Sequence, residues 1–254
     1  MGPIEFAVST PATDDVLREN IAHALSLGLP EADCKVKHLN LIANGPSARR
    51  LRLSSLEGDT MALNGSIDLF TKEGGYPTYW IGCDPQENLA NLLIDAPDKT
   101  IYLVASKCHP KVFDRLWDRD VRLWHVNDIP IPDKRQVPCA VSVTICALLL
   151  AQRLGYRSVD VHGWDCCYEN ERHHAGHELA TGLPATSQRI TIKVGGEDNA
   201  DYTDPTARYF DSNPTWACEI NDAKGVLPVV RWAGTEVKIH GPSMIAAILP
   251  EFAA

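Results

Sequence analysis

The run His38-Leu39-Asn40-Leu41-Ile42-Ala43 reads as a strand and ends in the turn Asn44-Gly45-Pro46-Ser47. Gly45 permits close approach where a side chain would stand. Pro46 suits a first helical position, where its missing N–H costs nothing. Ser47 would then offer a hydroxyl and an N–H at the positive end of a helix, a natural place for phosphate, with Arg49 and Arg50 within a turn. The loop is neither a Walker loop nor GxGxxG, and a tight turn without a ligand has the same pattern. Other strand-like runs also end in polar residues: Asn64, Asp84, Ser106 and Asp165. In open parallel sheets the ligand crevice lies beyond the carboxyl ends of the strands, so these side chains are expected to converge on one cleft. Each of them also suits an ordinary turn. Asp84 and Asp165 facing one crevice would suit a magnesium ion.

A second cluster is Arg172-His173-His174-Ala175-Gly176-His177-Glu178, in a polar stretch with few structure signals. Long irregular segments in compact domains are often lids or binding loops. A neutral imidazole can accept a proton near working pH, so His174 or His177 could serve as a base. His173, His174 and His177 with Cys166 or Cys167 could instead hold a metal, or the histidines could belong to a solvated loop. Lys107, Cys108, His109 and Pro110 could supply a phosphate cation or simply start a helix.

The elements that must position these residues alternate. An amphipathic helix runs from Thr13 to Leu27, with Asp14 and Asp15 in its first turn. Strands follow at His38–Ala43, Thr60–Leu63, Tyr79–Gly82, Thr100–Ala105, Val121–Val126, Ser158–His162 and Glu236–Gly241. A long helix spans Cys139 to Leu154, another runs from Thr215 to Lys224 and stops at Gly225, and a last one begins at Pro242-Ser243. Trp117, Trp124, Trp216 and Trp232 are expected in the core or at an interface. Alternating strands and helices indicate an α/β fold: a Rossmann-like, mostly parallel sheet with helices on both faces. Residues 166–212 form a lid-like irregular segment. Residues 1–36 are expected to be a helix or arm packed on the body, and 37–254 a single domain.

Composition sets bounds. The chain has 254 residues, 44% of them apolar and 22% charged, enough for one sizeable core. Its net charge of −9 argues against a nucleic-acid surface. No apolar run reaches the length of a membrane span, and no secretory signal opens the chain, so a cytoplasmic location is expected. The 8 cysteines form no CxxC pair and read as buried thiols.

Several ordered motifs resemble a known superfamily. Leu41-Ile42-Ala43-Asn44-Gly45-Pro46-Ser47 resembles the "GNGPS" strand–loop of bacterial lipooligosaccharide sialyltransferases. It equally resembles the motility-associated-factor glycosyltransferases and the 6-hydroxymethylpterin diphosphokinase-like proteins. Ala62-Leu63-Asn64-Gly65-Ser66, Tyr79 through Pro85, Leu154-Gly155-Tyr156, Gly163-Trp164-Asp165 and Val237 through Ser243 extend the likeness over roughly residues 38–250.

The resemblance implies a nucleotide-binding transferase. Carried over motif by motif, Asn44, Gly45, Pro46, Ser47 and Asn64 would contact a nucleotide or nucleotide-sugar donor, CMP-sugar-like or ATP. Ser142 is the nearest match to a donor-binding serine early in the long helix, offset by one residue. The segment His174-Ala175-Gly176-His177 is similar to the sialyltransferases' "HxxGH", implying a histidine general base. In the diphosphokinase branch magnesium would join Asp84 and Asp165, although the single Asp84-Pro85 at strand three favours the glycosyltransferase branches. The relatives imply self-association; the donor is expected to be a small molecule, and the sequence does not identify the acceptor. Three functions stand together: a glycosyltransferase, an ATP-dependent pyrophosphokinase, and a nucleotide-binding module without catalysis.

Overall fold

Runs such as Tyr79–Gly82 and Tyr102–Ala105 are apolar without alternation, as strands covered on both faces must be. A computed structural model describes residues 12–29, 38–127, 136–138, 140, 142–169, 175, 188–196 and 205–254. These runs form parallel strands of one eight-stranded sheet. In chain order they are β1 (His38–Ile42), β2 (Asp59–Leu63), β3 (Tyr79–Gly82), β4 (Ile101–Ala105), β5 (Asp120–Val126), β6 (Gln136–Val137), β7 (Ser158–His162) and, after a separate ribbon, β10 (Glu236–His240). The spatial order is β10-β7-β1-β2-β3-β4-β5-β6. The chain walks outward from β1 to β6, then returns to the other side of β1. The reversal therefore falls between β7 and β1, where α/β sheets open their ligand crevice.

Among the described residues six helices accompany the sheet: α1 (Asp14–Ser26), α2 (Ile67–Lys72), α3 (Pro110–Arg115), α4 (Val143–Arg153), α5 (Pro214–Trp232) and α6 (Met244–Ile248). α4 lies against β1, β2 and β3, and α5 packs on α4 and β10. α1 begins at an N-cap, Thr13, whose hydroxyl accepts from the Val16 N–H at 3.4 Å. It rests beside α3: the His23 and Phe113 rings lie 5.9 Å apart, and Asn20 Nδ2 donates to the Lys107 carbonyl at 3.1 Å. Among the described residues no helix is long and apolar enough to cross a membrane.

The strands fall where the apolar runs place them, but three expectations need correcting. The chain after β1 forms two 3-10 stretches, Pro46–Arg50 and Leu53–Ser55, rather than an α-helix beginning at Pro46. α5 continues through Gly225 and Pro228 to Trp232, because Ile220, Ala223, Leu227 and Val230 bury one continuous face and packing overrides propensity. Finally, the segment expected to be irregular contains a two-stranded antiparallel ribbon, β8 (Ile190–Val194) with β9 (Arg208–Ser212). The ribbon is tied to the loop after β7: the Tyr168 N–H donates to the Asp211 carbonyl at 2.7 Å, and Ser212 Oγ to the Cys166 carbonyl at 2.8 Å. Of the tryptophans, Trp124 is core, Trp216 packs on Tyr168, and Trp117 and Trp232 are exposed.

Burial changes across the sheet. Every residue of β3 and the last four of β1 are buried. At β10 alternation sets in: Val237 and Ile239 are buried, while Glu236 and Lys238 are exposed. One face of the β7–β10 wing thus carries polar side chains.

Candidate functional site

At the reversal point the loops after β1 and β7 touch without intervening side chains. The Ala43 N–H donates to the His162 carbonyl and the Gly45 N–H to the Gly163 carbonyl, both at 2.8 Å. A Cβ on Gly45 would stand 2.7 Å from Asp165 Oδ2 and closer still to the Gly163 carbonyl. One on Gly163 would stand 2.7 Å from Ala48 Cβ, and Gly163 has a φ of +70°. Both positions require glycine, for space at the first and for space and conformation at the second.

Asp165 fills the place expected for an anion. The Ser47 N–H donates to Asp165 Oδ2 at 2.7 Å, and the Ser47 hydroxyl donates to Asp165 Oδ1 at 2.6 Å. Asp165 is buried, and its own backbone carbonyl accepts from the Met244 N–H at 2.9 Å. Burial pushes its carboxyl above the usual range, against the lowering effect of the Ser47 donors and of Arg50. The expectation that Ser47 offers free donors at a helix dipole is therefore not met. The donors serve a carboxylate of the same chain, and a short 3-10 stretch replaces the helix. Arg50 is turned to Glu169, which it pairs, and Arg49 is exposed.

The β2 side of β1 is different. Asn64, directly after β2, sits in the left-handed region at φ 47°. Its Oδ1 is enclosed and has no hydrogen-bond partner. Its backbone is held by the Trp80 indole, which donates to the Asn64 carbonyl at 2.9 Å. Ser66 braces the same turn, donating to the Ile42 carbonyl at 2.6 Å and accepting from the Leu63 N–H at 2.8 Å. A Cβ on Gly65 would meet Asn44 Nδ2 at 3.0 Å and Leu92 at 3.8 Å, so Asn44 and the Asn64-Gly65 turn are neighbours. Leu92 also lines a cavity of about 280 Å³ with Ile67, Asp68, Thr71, Asn91 and Asp95. The Asn44 carbonyl accepts from the N–H of Ala175, itself buried, at 2.8 Å. His173, His174 and His177 lie outside the described residues.

Other candidate residues have local duties. Asp84 Oδ1 accepts from the Gln86 N–H at 2.9 Å, closing a turn. Asp84 follows β3 and Asp165 follows β7, three strand spacings apart in the sheet order. At about 4.8 Å per spacing the two strands are roughly 14 Å apart. Ser142 caps α4, its hydroxyl accepting from the Ile145 N–H at 3.4 Å, and it also bonds Glu219. The Trp164 indole donates to the same Glu219 at 2.6 Å. Burial pushes the Cys166 thiol up and the Cys167 thiol to about 11, which disfavours both as thiolate ligands. A group not anticipated from sequence is Asp160, His162 and His240, on the polar face of β7 and β10. Its signal was present: Ser158, Asp160 and His162 alternate with Val159 and Val161.

No family model matches the chain, and no curated protein matches it. Among solved structures, the MAf glycosyltransferase from Magnetospirillum magneticum superposes with a TM-score of 0.61 at 11% identity. The match covers 91% of this chain and 37% of that one, so the chain spans little more than a third of that glycosyltransferase. A protein from Lactobacillus plantarum matches half of this chain at 20% identity, with a TM-score of 0.27 that carries no argument. What the chain shares with the MAf glycosyltransferase, over nearly its whole described length, is the fold.

Proposed function

We propose that the chain is a transferase of the glycosyltransferase type, taking a nucleotide-linked sugar as donor. Asn44 and Asn64 hydrogen-bond the donor, and His174 or His177 takes the proton from the acceptor hydroxyl. One observation carries the reading: the Asn64 Oδ1 is enclosed and unmatched beside Asn44, at the carboxyl edge of the sheet. A buried acceptor without a donor costs about 1–3 kcal/mol, and a ligand N–H or O–H recovers it. Two pieces of context support it. The shared fold is that of a glycosyltransferase, and the N–H of Ala175, which follows His174 in the sequence, donates to the Asn44 carbonyl. Neutral amides suit a base or sugar better than a phosphate. Ser47 and Asp165 accordingly brace the loop and do not hold the donor's phosphate.

The test is a thermal-shift panel of CMP, CMP-sugar, UDP-sugar, GDP-sugar and ATP with magnesium, repeated on Asn64→Ala. A nucleotide sugar is expected to raise the melting temperature of the native chain. Asn64→Ala should weaken that binding about tenfold, the equivalent of one lost hydrogen bond. His174→Ala or His177→Ala should abolish transfer and leave donor binding intact. A response to ATP with magnesium alone would replace this reading with the pyrophosphokinase. Silence across the panel would end both.

A further inference from the structure

The sheet's polar wing holds a group of side chains that neither the fold nor the transferase reading uses. The register places His38, Ser158 and Glu236 in one row across β1, β7 and β10; Asn40, Asp160 and Lys238 form the next; Ile42, His162 and His240 form the third. These residues share one face, because side chains alternate along a strand. The opposite face, with Leu39, Leu41, Val159, Val161, Val237 and Ile239, is core.

Within this grid the ligand atoms of Asp160, His162 and His240 lie within 4.8 Å of one another. The tautomer of His162 follows from its neighbours. Asn40 Nδ2 donates to the Glu57 carbonyl at 2.8 Å, which fixes the orientation of the Asn40 amide. Asn40 Oδ1 therefore faces His162 Nε2 at 3.2 Å and can only accept, so Nε2 carries the proton and Nδ1 keeps the lone pair. A ligating histidine is typically oriented this way, by a hydrogen bond from its other ring nitrogen. His240 offers the complementary signal. Its Nε2 is enclosed and has no aligned hydrogen bond, yet it stands 3.1 Å from Asp160 Oδ2. A ring nitrogen and a carboxylate oxygen at this separation, with no aligned hydrogen bond between them, are spaced as two ligands of one cation would be. The two imidazoles stack at 4.5 Å with 20° between their planes. Lys238 does not serve Asp160, because its ammonium pairs with Glu236 at 3.4 Å. Among the described residues, no lysine or arginine forms an ion pair with Asp160.

We propose that Asp160, His162 and His240 form a site for one divalent cation of the zinc type, with Asn40 as the positioning residue behind His162. Two imidazoles and one carboxylate select zinc over magnesium or calcium, which take oxygen ligands. Three protein ligands leave a fourth position for water. Bond lengths of about 2.0–2.2 Å would draw the three ligand atoms together by on the order of 1 Å, within reach of side-chain rotation. The ion would clamp edge strand β10 to β7 one residue before the glycine turns that follow both strands. The site is independent of the transferase reading and of its histidines.

The test is titration of the metal-free full chain with zinc, followed by calorimetry, and with cobalt(II), followed by its visible spectrum. One equivalent is expected to bind, with the cobalt spectrum of a low-symmetry nitrogen–oxygen site. Asp160→Ala and His240→Ala should each weaken binding about 100-fold or more, and Asn40→Ala about tenfold. His174→Ala/His177→Ala should leave it unchanged. As a readout that needs no variant, zinc should shift the ring signals of His162 and His240 in the NMR spectrum of the native chain. Absence of stoichiometric binding overturns the proposal. So does binding that survives Asp160→Ala and His240→Ala, or that disappears with the His174/His177 pair instead.

Discussion

The two sides of β1 end in similar residues and do opposite things. Toward β7 the loop's donors close onto the chain itself: Ser47 to Asp165, Gly45 to Gly163, Ala43 to His162. Toward β2 an asparagine is held in a left-handed conformation with its amide oxygen enclosed and unmatched. Saturated hydrogen bonding fixes a loop, whereas an orphaned acceptor adds nothing to the chain alone and gains only when a ligand arrives. A polar residue at a strand end is thus a brace or a binding group according to whether its partners are internal.

Breaking the braced side should produce the largest effects. Gly45→Ala forces a methyl against the Gly163 carbonyl and Asp165, both part of a buried loop. We expect a loss of about 3–5 kcal/mol or failure to fold, read by urea unfolding. Asp165→Asn presents an N–H₂ or a neutral oxygen to the Ser47 donors in place of a carboxylate, and should cost about 1.5–3 kcal/mol in the same assay. An intact stability for Asp165→Asn would mean that the brace is not structural.

Glu219 lies behind the braced loop, bonded by Ser142, Trp164 and Cys166, with Asp222 adding repulsion. Burial raises its carboxyl above 4.5, so the folded chain holds a proton that the unfolded chain releases. Its contribution to stability is therefore complete below pH 4.5 and declines as pH rises toward the raised folded value. Glu219→Gln cannot release that proton and should flatten this decline, measured as the difference in melting temperature between variant and native chain from pH 4.5 upward. An unchanged difference across that range would contradict the assignment.

The smallest stability effect should come from the open side. Asn64→Gly removes the unmatched amide and relaxes the left-handed backbone, so stability should stay level or rise by up to about 1 kcal/mol while donor binding falls. A large destabilisation would place Asn64 among the braces and erase the contrast between the two sides.

The strands and their parallel arrangement were legible because parallel strands covered on both faces have unbroken apolar runs. Tyr79–Gly82 and Ser158–His162 were bounded to the residue. The end of α5 was not, because Gly225 looks like a stop until the apolar face running on to Val230 is seen packed. The β8–β9 ribbon was also missed, although Ile190, Ile192 and Val194 alternate with polar residues, because the surrounding turn-rich composition outweighed a five-residue signal. At the site, the sequence places Asn44, Asn64 and Asp165 at strand ends. It gives no means of knowing that Ser47 and Asp165, 118 positions apart, would neutralise each other's hydrogen-bonding capacity. That is a property of strand order, which puts β7 beside β1. The Asp160, His162 and His240 group was hidden for the same reason, since β10 joins β7 only after the chain has crossed the sheet.

The bare contact between Gly45 and Gly163 has a mechanical consequence. Because neither residue can gain even one carbon, the two turns are geared together and cannot slide past each other. A molecule settling beside Asn44 must then be accommodated by yielding on the Gly65 and Leu92 flank, against an anvil that stays still. Variation in what such a scaffold accepts is accordingly confined to that flank, where side chains can be exchanged without disturbing the anvil.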